Sequence, residues 1–466
     1  MGHQYGLRMR AGMAVTVCTL VAAVAAGSIR VHVGYAAQTL VVTTTAGSTP
    51  PCQASQYSMA CAIGQANADG SGDTITFNIP TSDPGCAPAS IGGTTVSVCK
   101  VDNNGPALSA DLTTIDGYTQ PGAAPNTAPV GRRDNAVLTI EMTNGLALVG
   151  QSAVTTRDTV EGLSIVGGYY GIQVGLSECC NANASTIKGN FIGVSPNGAR
   201  SPNGMGVYVV DGGAIIGGGV PADANVISGN RSDGIAIDNG NVEISGNYIG
   251  TAPNGSHTLG NAGVGIDFYG GQCANGETCT NGTGGASGNV VGGNGGDGID
   301  VGGVATPAGE QCGTSIEANY IGTNALGTRL GNLADGVHVN GGCGNTSDNT
   351  IAYNAKDGVQ VDYDLNAQYN YANSPYERIS SDSIFSNGAL GIETPIDVPV
   401  PVILGVTTGS MTGTACVGCS VEVYAATNES DDHGAGEGKT FLGSAQADTG
   451  VTASILGSRE PVLKLA

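Results

Sequence analysis

Along the middle of the chain an Ile or Val is followed three positions later by Asn, seven times: Ile187/Asn190, Ile227/Asn230, Ile244/Asn247, Val291/Asn294, Ile316/Asn319, Ile351/Asn354 and Ile384/Asn387. A Gly-Ile or Gly-Val step follows each Asn. It comes soon after Asn230, Asn294, Asn354 and Asn387, at Gly234, Gly298, Gly358 and Gly391. It comes late after Asn190, Asn247 and Asn319, at Gly206, Gly265 and Gly336. The long gaps hold related inserts, Phe191-Ile-Gly-Val, Tyr248-Ile-Gly-Thr and Tyr320-Ile-Gly-Thr, each followed by a Gly-rich loop.

Each unit offers only short strands, and no single unit can bury its own Ile and Val side chains. Stacking units about 4.8 Å apart buries them in one continuous core, with ladder hydrogen bonds running between units. Asn suits the corner of such a coil because it tolerates left-handed backbone and can bond the Asn above and below. Gly supplies positive φ at the turns.

The pattern therefore predicts an all-β solenoid. Alternating stretches at Thr74–Ile79, Thr94–Val98, Leu112–Gly117, Val137–Ile140 and 159–175 extend it towards the N-terminus. About twelve coils would make a body about 55–60 Å long. Residues 38–394 form this body, and residues 54–68, with Met59 and Ile63 at helical spacing, are the expected N-terminal cap. Residues 395–401 read as a Pro-rich linker. Residues 402–466 read as a small, incomplete β-sandwich-like tail, with no strand partner for Gly450 to Ala466.

Composition narrows the class. Glycine is 78 of 466 residues, aromatics are 5% and Trp is absent, which suits short strands and tight turns better than a mixed α/β enzyme. The net charge of −22 speaks against a nucleic-acid partner, which needs basic patches. A polyanionic glycan would be repelled unless a cation bridged it. Carbohydrate or a cell-surface protein is the easier partner.

Arg8 and Arg10 precede an apolar run from Ala11 to Ala26, with small residues near Ala23–Ala25 and Ala36-Ala37. Residues 1–37 thus read as a secretory signal, or as an uncleaved anchor, and the chain is expected to be secreted or held at the cell surface. No later stretch is long and apolar enough to span a bilayer.

Loss of Cys18 with that leader leaves an even number of cysteines, which favours disulfides in an exported chain. Sequence-local pairs are Cys52 with Cys61, Cys86 with Cys99, Cys273 with Cys279, and Cys416 with Cys419. Cys312 and Cys343 could join neighbouring coils. A zinc reading of Cys416 and Cys419 lacks a second pair of ligands.

The stretches Thr39-Leu-Val-Val-Thr-Thr, Cys61-Ala-Ile-Gly-Gln-Ala-Asn67 and Asp73-Thr-Ile-Thr-Phe77 resemble the opening of bacterial right-handed parallel β-helix proteins of the pectate-lyase-like group. Some of these carry a CSLREA-type start. Ser58-Met-Ala-Cys-Ala-Ile63 keeps that motif's Ser and Ala-Ile but has Tyr57 in place of its Cys. Ile115-Asp-Gly-Tyr-Thr-Gln-Pro121 and the Tyr-Ile-Gly-Thr inserts are similar to the same group, and Gly413–Val423 resembles the β domain that often follows. The resemblance implies a right-handed parallel β-helix. It matches no catalytic motif, and the group spans lyases, hydrolases, epimerases and adhesins.

Candidate chemistry follows from the alternation. The residue after each Gly-Ile/Val step should face outward. In stacking order that row reads Gln173, Tyr208, Ala236, Asp267, Asp300, His338, Gln360, Glu393. Asp267, Asp300 and His338 on consecutive coils are the candidate catalytic set, since two carboxylates and an imidazole on one wall can move protons. An ordinary solvated polar ladder is the plainer reading.

Asp233, Asp297, Asp335 and Asp357 precede the repeat Gly, a turn signal that could also hold a divalent cation such as Ca2+. No other cofactor is implied. Tyr363, Tyr369, Tyr371, Tyr376 and Arg378 form the most aromatic stretch and are candidates for stacking on sugar rings. The loops near 195–203, 252–261 and 323–332, whose strong polar heads are Arg200, His257 and Arg329, should share one side of the stack.

The pattern supports two functions. One is a secreted, non-catalytic binding, adhesion or structural module that contacts carbohydrate. The other is a glycoside hydrolase or polysaccharide lyase using the Asp/Asp/His wall.

Overall fold

The computed structural model describes residues 36–47, 52–53, 56–70, 72–149, 157–175, 185–210, 212–238, 240–269, 283–302, 314–340, 344–362, 378–394, 402–407, 410–415, 417, 419–426, 438–447 and 455–456. The chain divides after Ala36, and the body lies in Ala37–Ala466. Among the described residues no helix is long and apolar enough to cross a membrane.

The body is a parallel β-helix of three sheets. Face one runs through eleven strands from Thr39–Val42 to Arg378–Ser380. Face two also has eleven, ending at Ser383–Phe385. Face three has nine, from Leu146–Leu148 to Ile392–Glu393. The pairing is parallel throughout, except where Cys86–Ile91 and Thr94–Asp102 form an antiparallel hairpin at the head of face two. Strands return to the same face one coil later, so the described residues make eleven coils, close to the expected count of about twelve.

The strands are as short as two residues, and the core explains why that suffices. On face two Ile165, Ile192, Ile227, Ile249, Val291, Ile321, Ile351 and Ile384 are buried and stacked in register. Each contributes about 1.5–3 kcal/mol when fully buried, which no single coil could supply alone. Face three adds Ile172, Val207, Ile235, Ile266, Ile299, Val337 and Val359 in the same manner.

The Asn repeat is two ladders, not one. Asn190, Asn225, Asn247, Asn289, Asn319 and Asn349 stack at the corner between faces one and two. At each step a main-chain N–H and a side-chain amide donate to the Oδ1 of the next coil's Asn. Asp382 ends this ladder, its Oδ1 accepting both donors of Asn349. Asn203, Asn230, Asn261, Asn294, Asn332, Asn354 and Asn387 form the second ladder, at the corner between faces two and three.

Both corners follow an inward Ile or Val by three residues, so the sequence pattern merges them. The apparent alternation of short and inserted units is this merging. Phe191-Ile, Tyr248-Ile and Tyr320-Ile are face-two strands.

The left-handed residue is the one before the Asn rather than the Asn itself: Gly189, Gly229, Gly246, Gly288 and Gly293, then Ala318, Asp348, Tyr353, Ser381 and Ser386 near the far end. The Gly of each Gly-Ile/Val step is needed for space. A Cβ on Gly298 would lie 2.6 Å from the Gly336 carbonyl and 2.8 Å from the Asn332 side-chain amide.

Residues 118–138 form a strap over the outside of face two. Leu138 and Ala136 pack with Phe191, Val226, Tyr248 and Val290 in a second apolar cluster, joined by Tyr118 and Val130. The strap is tied down by Tyr118 Oη donating to the Gly189 carbonyl (2.8 Å) and by the Asp134 N–H donating to the Pro253 carbonyl (2.6 Å).

The cap helix spans Met59–Asp69, with Ser58 at its N-cap and left-handed Gly70 at its C-cap. It starts later than residue 54 because Ser58 supplies the capping hydroxyl, which accepts from the Cys61 N–H. Disulfides join Cys52 to Cys61 and Cys86 to Cys99. Cys419 is also disulfide-bonded. Cys273, Cys279, Cys312, Cys343 and Cys416 lie outside the described residues, as do residues 1–35 of the expected leader and the 395–401 linker.

Beyond the coil, Val402–Thr407, Ser410–Thr414 and Ile455–Leu456 form one antiparallel sheet, and Ser420–Ala426 with Gly438–Gln446 another. Ile455–Leu456 therefore does find a strand partner. The tail covers the last coil. Glu422 accepts from the Ser381 N–H (2.8 Å), Lys439 sits 4.3 Å over the Phe385 ring, and the Ser383 hydroxyl donates to the Lys439 carbonyl. An open strand edge is thereby closed.

Candidate functional site

Face three carries the row read from the sequence. Its register pairs Gln173 with Tyr208, then Ala236, Asp267, Asp300, His338, Gln360 and Glu393 in succession. These side chains leave the coil because their neighbours at plus and minus one fill the core.

The row is not uniformly open. Asp267 is buried, with 5% of its surface exposed, and Ala236 is fully buried. The chemistry gathers instead around His338. Its Nδ1 lies 3.4 Å from Asp300 Oδ1 and 3.7 Å from Asp297 Oδ2, and its Nε2 lies 3.1 Å from Asp362 Oδ2.

Asp297 comes from the corner three residues before Asp300, and its Oδ1 accepts the Asp335 N–H at 2.7 Å. Asp362 comes from the next outward position two coils on, and its Oδ1 accepts from Gln360 Nε2 at 3.1 Å. Asp300 Oδ1 is buried without a hydrogen bond.

These neighbours set the charges. Asp297 first, then Asp300 and Asp362, push the His338 imidazole up to about 9 against the effect of burial. Burial pushes Asp300 up to about 6, with Asp297 adding to it and His338 opposing. Burial also acts on Asp297, but His338, the Asp335 amide and Lys356 outweigh it and hold that carboxyl below its ordinary value. At neutral pH the cluster is an imidazolium among carboxylates. Both ring nitrogens are engaged, so His338 is a poor proton acceptor as it stands.

The Asp-Gly ladder is mainly structural. Asp233, Asp297, Asp335 and Asp357 each accept a main-chain N–H through Oδ1, from Val264, Asp335, Asp357 and Leu390. One oxygen of each is thus committed to joining coils, which weakens the expectation of a Ca2+ ladder.

At the N-terminal end of the same face lies an aromatic platform that the sequence reading missed. Tyr170 stacks on Tyr208 with ring centroids 4.8 Å apart, and Tyr169 meets Tyr170 edge-on at 4.7 Å. Tyr169 is 80% exposed. Tyr208 Oη donates to Asp238 at 3.1 Å. Tyr208 stood in the predicted row, and the adjacent Tyr169-Tyr170 pair was the available signal.

Of the predicted aromatic stretch, Tyr363, Tyr369, Tyr371 and Tyr376 lie outside the described residues. Arg378 is exposed at the start of a face-one strand. The three loops share the corner between faces two and three, each ending at a ladder Asn. Arg200 bonds the Gly229 and Asn230 carbonyls, and Arg329 sits 4.6 Å over the Tyr353 ring, so both are tied to the body. The His257 ring lies 3.0 Å from the Ser256 hydroxyl within its own loop.

No family model matches the chain, and no curated protein is similar to it in sequence. Among solved structures it is similar to the periplasmic alginate epimerase AlgG, at 14% identity over 71% of this chain and 69% of that one, with a TM-score of 0.37. It is similar to the A-module of the Azotobacter vinelandii mannuronan C-5 epimerase AlgE4, at 14% identity over 70% and 74%, TM-score 0.37. It is also similar to pectate lyase Pel9A, at 12% identity over 79% and 84%, TM-score 0.30.

Proposed function

We propose that this is an exported protein that binds a neutral glycan along face three. The observation that carries the reading is a single row of face three with a ring-stacked tyrosine platform at one end and a carboxylate–imidazole cluster three coils further on, the buried Ala236 and Asp267 lying between them. Aromatic faces take the apolar faces of sugar rings, and carboxylates accept from hydroxyls. Face two is the poorer candidate, because the strap packs over its coils from Phe191 to Val290. The net charge of −22 selects against polyanionic glycans. The disulfides Cys52–Cys61 and Cys86–Cys99 support an oxidising compartment.

A second reading, hydrolysis, is favoured by one observation. Asp300 is pushed up and Asp297 held down, the split between acid and ionised carboxylate that glycosidases use. Lyase chemistry is disfavoured, since it needs a base and His338 is already protonated and paired.

A panel of neutral and acidic glycans, scored for binding and for cleavage, tests both. Binding of neutral glycans that weakens about tenfold or more in Tyr169→Ala/Tyr208→Ala supports the first reading. Binding unchanged in that variant, or confined to acidic glycans, would refute it. Cleavage that disappears in Asp300→Asn establishes the second.

A further inference from the structure

We infer that Asp297, Asp300 and His338 form a binding site for a divalent transition metal ion of the manganese-to-zinc series. The inference stands apart from the glycan reading and does not need it. Three donor atoms from two neighbouring coils, one oxygen from each carboxylate and His338 Nδ1, all lie within 4.8 Å of one another. Metal–ligand bonds of about 2.0–2.2 Å place adjacent ligand atoms about 3.0–3.6 Å apart. The distances of Nδ1 to Asp300 Oδ1, 3.4 Å, and to Asp297 Oδ2, 3.7 Å, already lie at or beside that span.

The surroundings supply what such a site needs and a chance cluster lacks. A metal-binding imidazole donates its other N–H to a carboxylate that fixes the ring, and that partner is itself held. Here Nε2 faces Asp362 Oδ2 at 3.1 Å, while Asp362 Oδ1 is held by Gln360 at 3.1 Å. Asp297 commits Oδ1 to the Asp335 amide, which leaves Oδ2 turned inward. Asp300 Oδ1 is buried and makes no hydrogen bond; it faces His338 Nδ1 at 3.4 Å, and a coordinating ion between the two would satisfy it directly.

The mixed nitrogen and oxygen donors favour borderline ions over Ca2+, which takes six to eight oxygens. Binding replaces the Nδ1 proton by the metal, so one proton leaves to solvent for each ion bound. The imidazolium that now balances the carboxylates would be exchanged for a divalent ion, and the wall would gain one positive charge.

The test uses the full chain with its thiols alkylated, so that free cysteines cannot compete. Zn2+ titration by calorimetry should give one ion per chain, and Co2+ should give a visible absorption band. Asp300→Asn and His338→Gln should each weaken Zn2+ at least tenfold and abolish the Co2+ band, whereas Glu317→Gln on face one should change neither. Asp362→Asn keeps all three donors and should weaken binding about 10–100-fold, as loss of an outer partner does. That variant decides the matter if His338→Gln fails to fold, judged by far-UV circular dichroism. No binding at millimolar Zn2+, or equal binding in wild type, Asp300→Asn and Asp362→Asn, would overturn the assignment.

Discussion

Truncating Asn247 to Ala tests the physical basis of the coil. Asn247 is fully buried in the middle of the first ladder. Its Oδ1 accepts the Asn225 N–H at 3.2 Å and the Asn225 side-chain amide at 2.8 Å. Its own amide donates to the carbonyls of Ile216 and Ser245 and to Asn289 Oδ1, at 2.8, 3.1 and 3.0 Å. Asn225 keeps one partner for its side chain, the Ile187 carbonyl, but its main-chain N–H is left with none.

At about 1–3 kcal/mol for an orphaned buried donor and about 1 kcal/mol for each further lost bond, Asn247→Ala should cost about 3–5 kcal/mol. Asn247→Asp should cost at least as much above pH 7, because it turns a carboxylate towards acceptors that need a donor. Asp382→Asn should be nearly neutral. Asp382 ends the stack and only has to accept, and its Oδ2 partner is the Thr346 hydroxyl, which can reverse its role.

Urea unfolding followed by circular dichroism, with the exposed-loop change Asn254→Ala as reference, measures all three. If Asn247→Ala fell within about 0.5 kcal/mol of Asn254→Ala, water would be replacing the side chain and the ladder would not hold the coil.

Two further outcomes follow from the same structure. Burial raises Asp134 and Asp158 to about 7 and Asp382 to about 6, and Asp297 leads the groups that raise His338 to about 9. The raised acids are uncharged in both states below their unfolded value near 3.8, so their penalty grows between about pH 4 and 7. The stability from His338 is complete below 6.5 and lost as pH rises through 9. Both effects make Tm fall from pH 5 to pH 9, whereas Asp83 and Asp297, held low, act only below about pH 4; calorimetry showing a Tm at pH 8 equal to that at pH 5 would contradict this. For glycine, Gly64→Ala on the exposed side of the cap helix meets nothing within 4 Å and should stabilise by about 0.5–1 kcal/mol, while Gly298→Ala should destabilise by about 1–3 kcal/mol, both read from urea midpoints.

The coil was legible because two periodicities survive in the primary structure. Alternation places Ile187, Ile216 and Ile244 inward, and the three-residue step from Ile or Val to Asn recurs at seven of the ladder asparagines, drawn from both corners. What could not be read was which corner. Asn190 and Asn230 stand in the same local pattern, since both follow an inward aliphatic by three residues and precede a new strand. Only hydrogen bonding between coils separates them, Asn190 to Asn225 in one stack and Asn230 to Asn261 in the other. Asn225 and Asn203 escaped the pattern for a related reason. Pro221–Asp223 and the loop from Val194 to Arg200 lengthen the approach, so no aliphatic stands three residues before them.

The candidate site shows the same limit from the other side. A period of two locates a row, and the register confirms that Asp300 and His338 are neighbours in it. It says nothing of what stands beside the row. Asp297 belongs to the corner, odd-numbered with respect to Asp300, and as an Asp-Gly turn residue it carries the commonest explanation of any Asp in a loop. Asp362 sits two residues beyond Gln360, where alternation puts it in a second outward row and not in the first. Asp267 stands in register beside Asp300, where alternation placed it, and is buried. Beside the row that period two joined, Asp267, Asp300 and His338, there is therefore an assembly drawn from two rows and a corner. That assembly follows from the width of a strand on face three, which lets an imidazole at the centre of one coil touch the corner before it and the strand end after it.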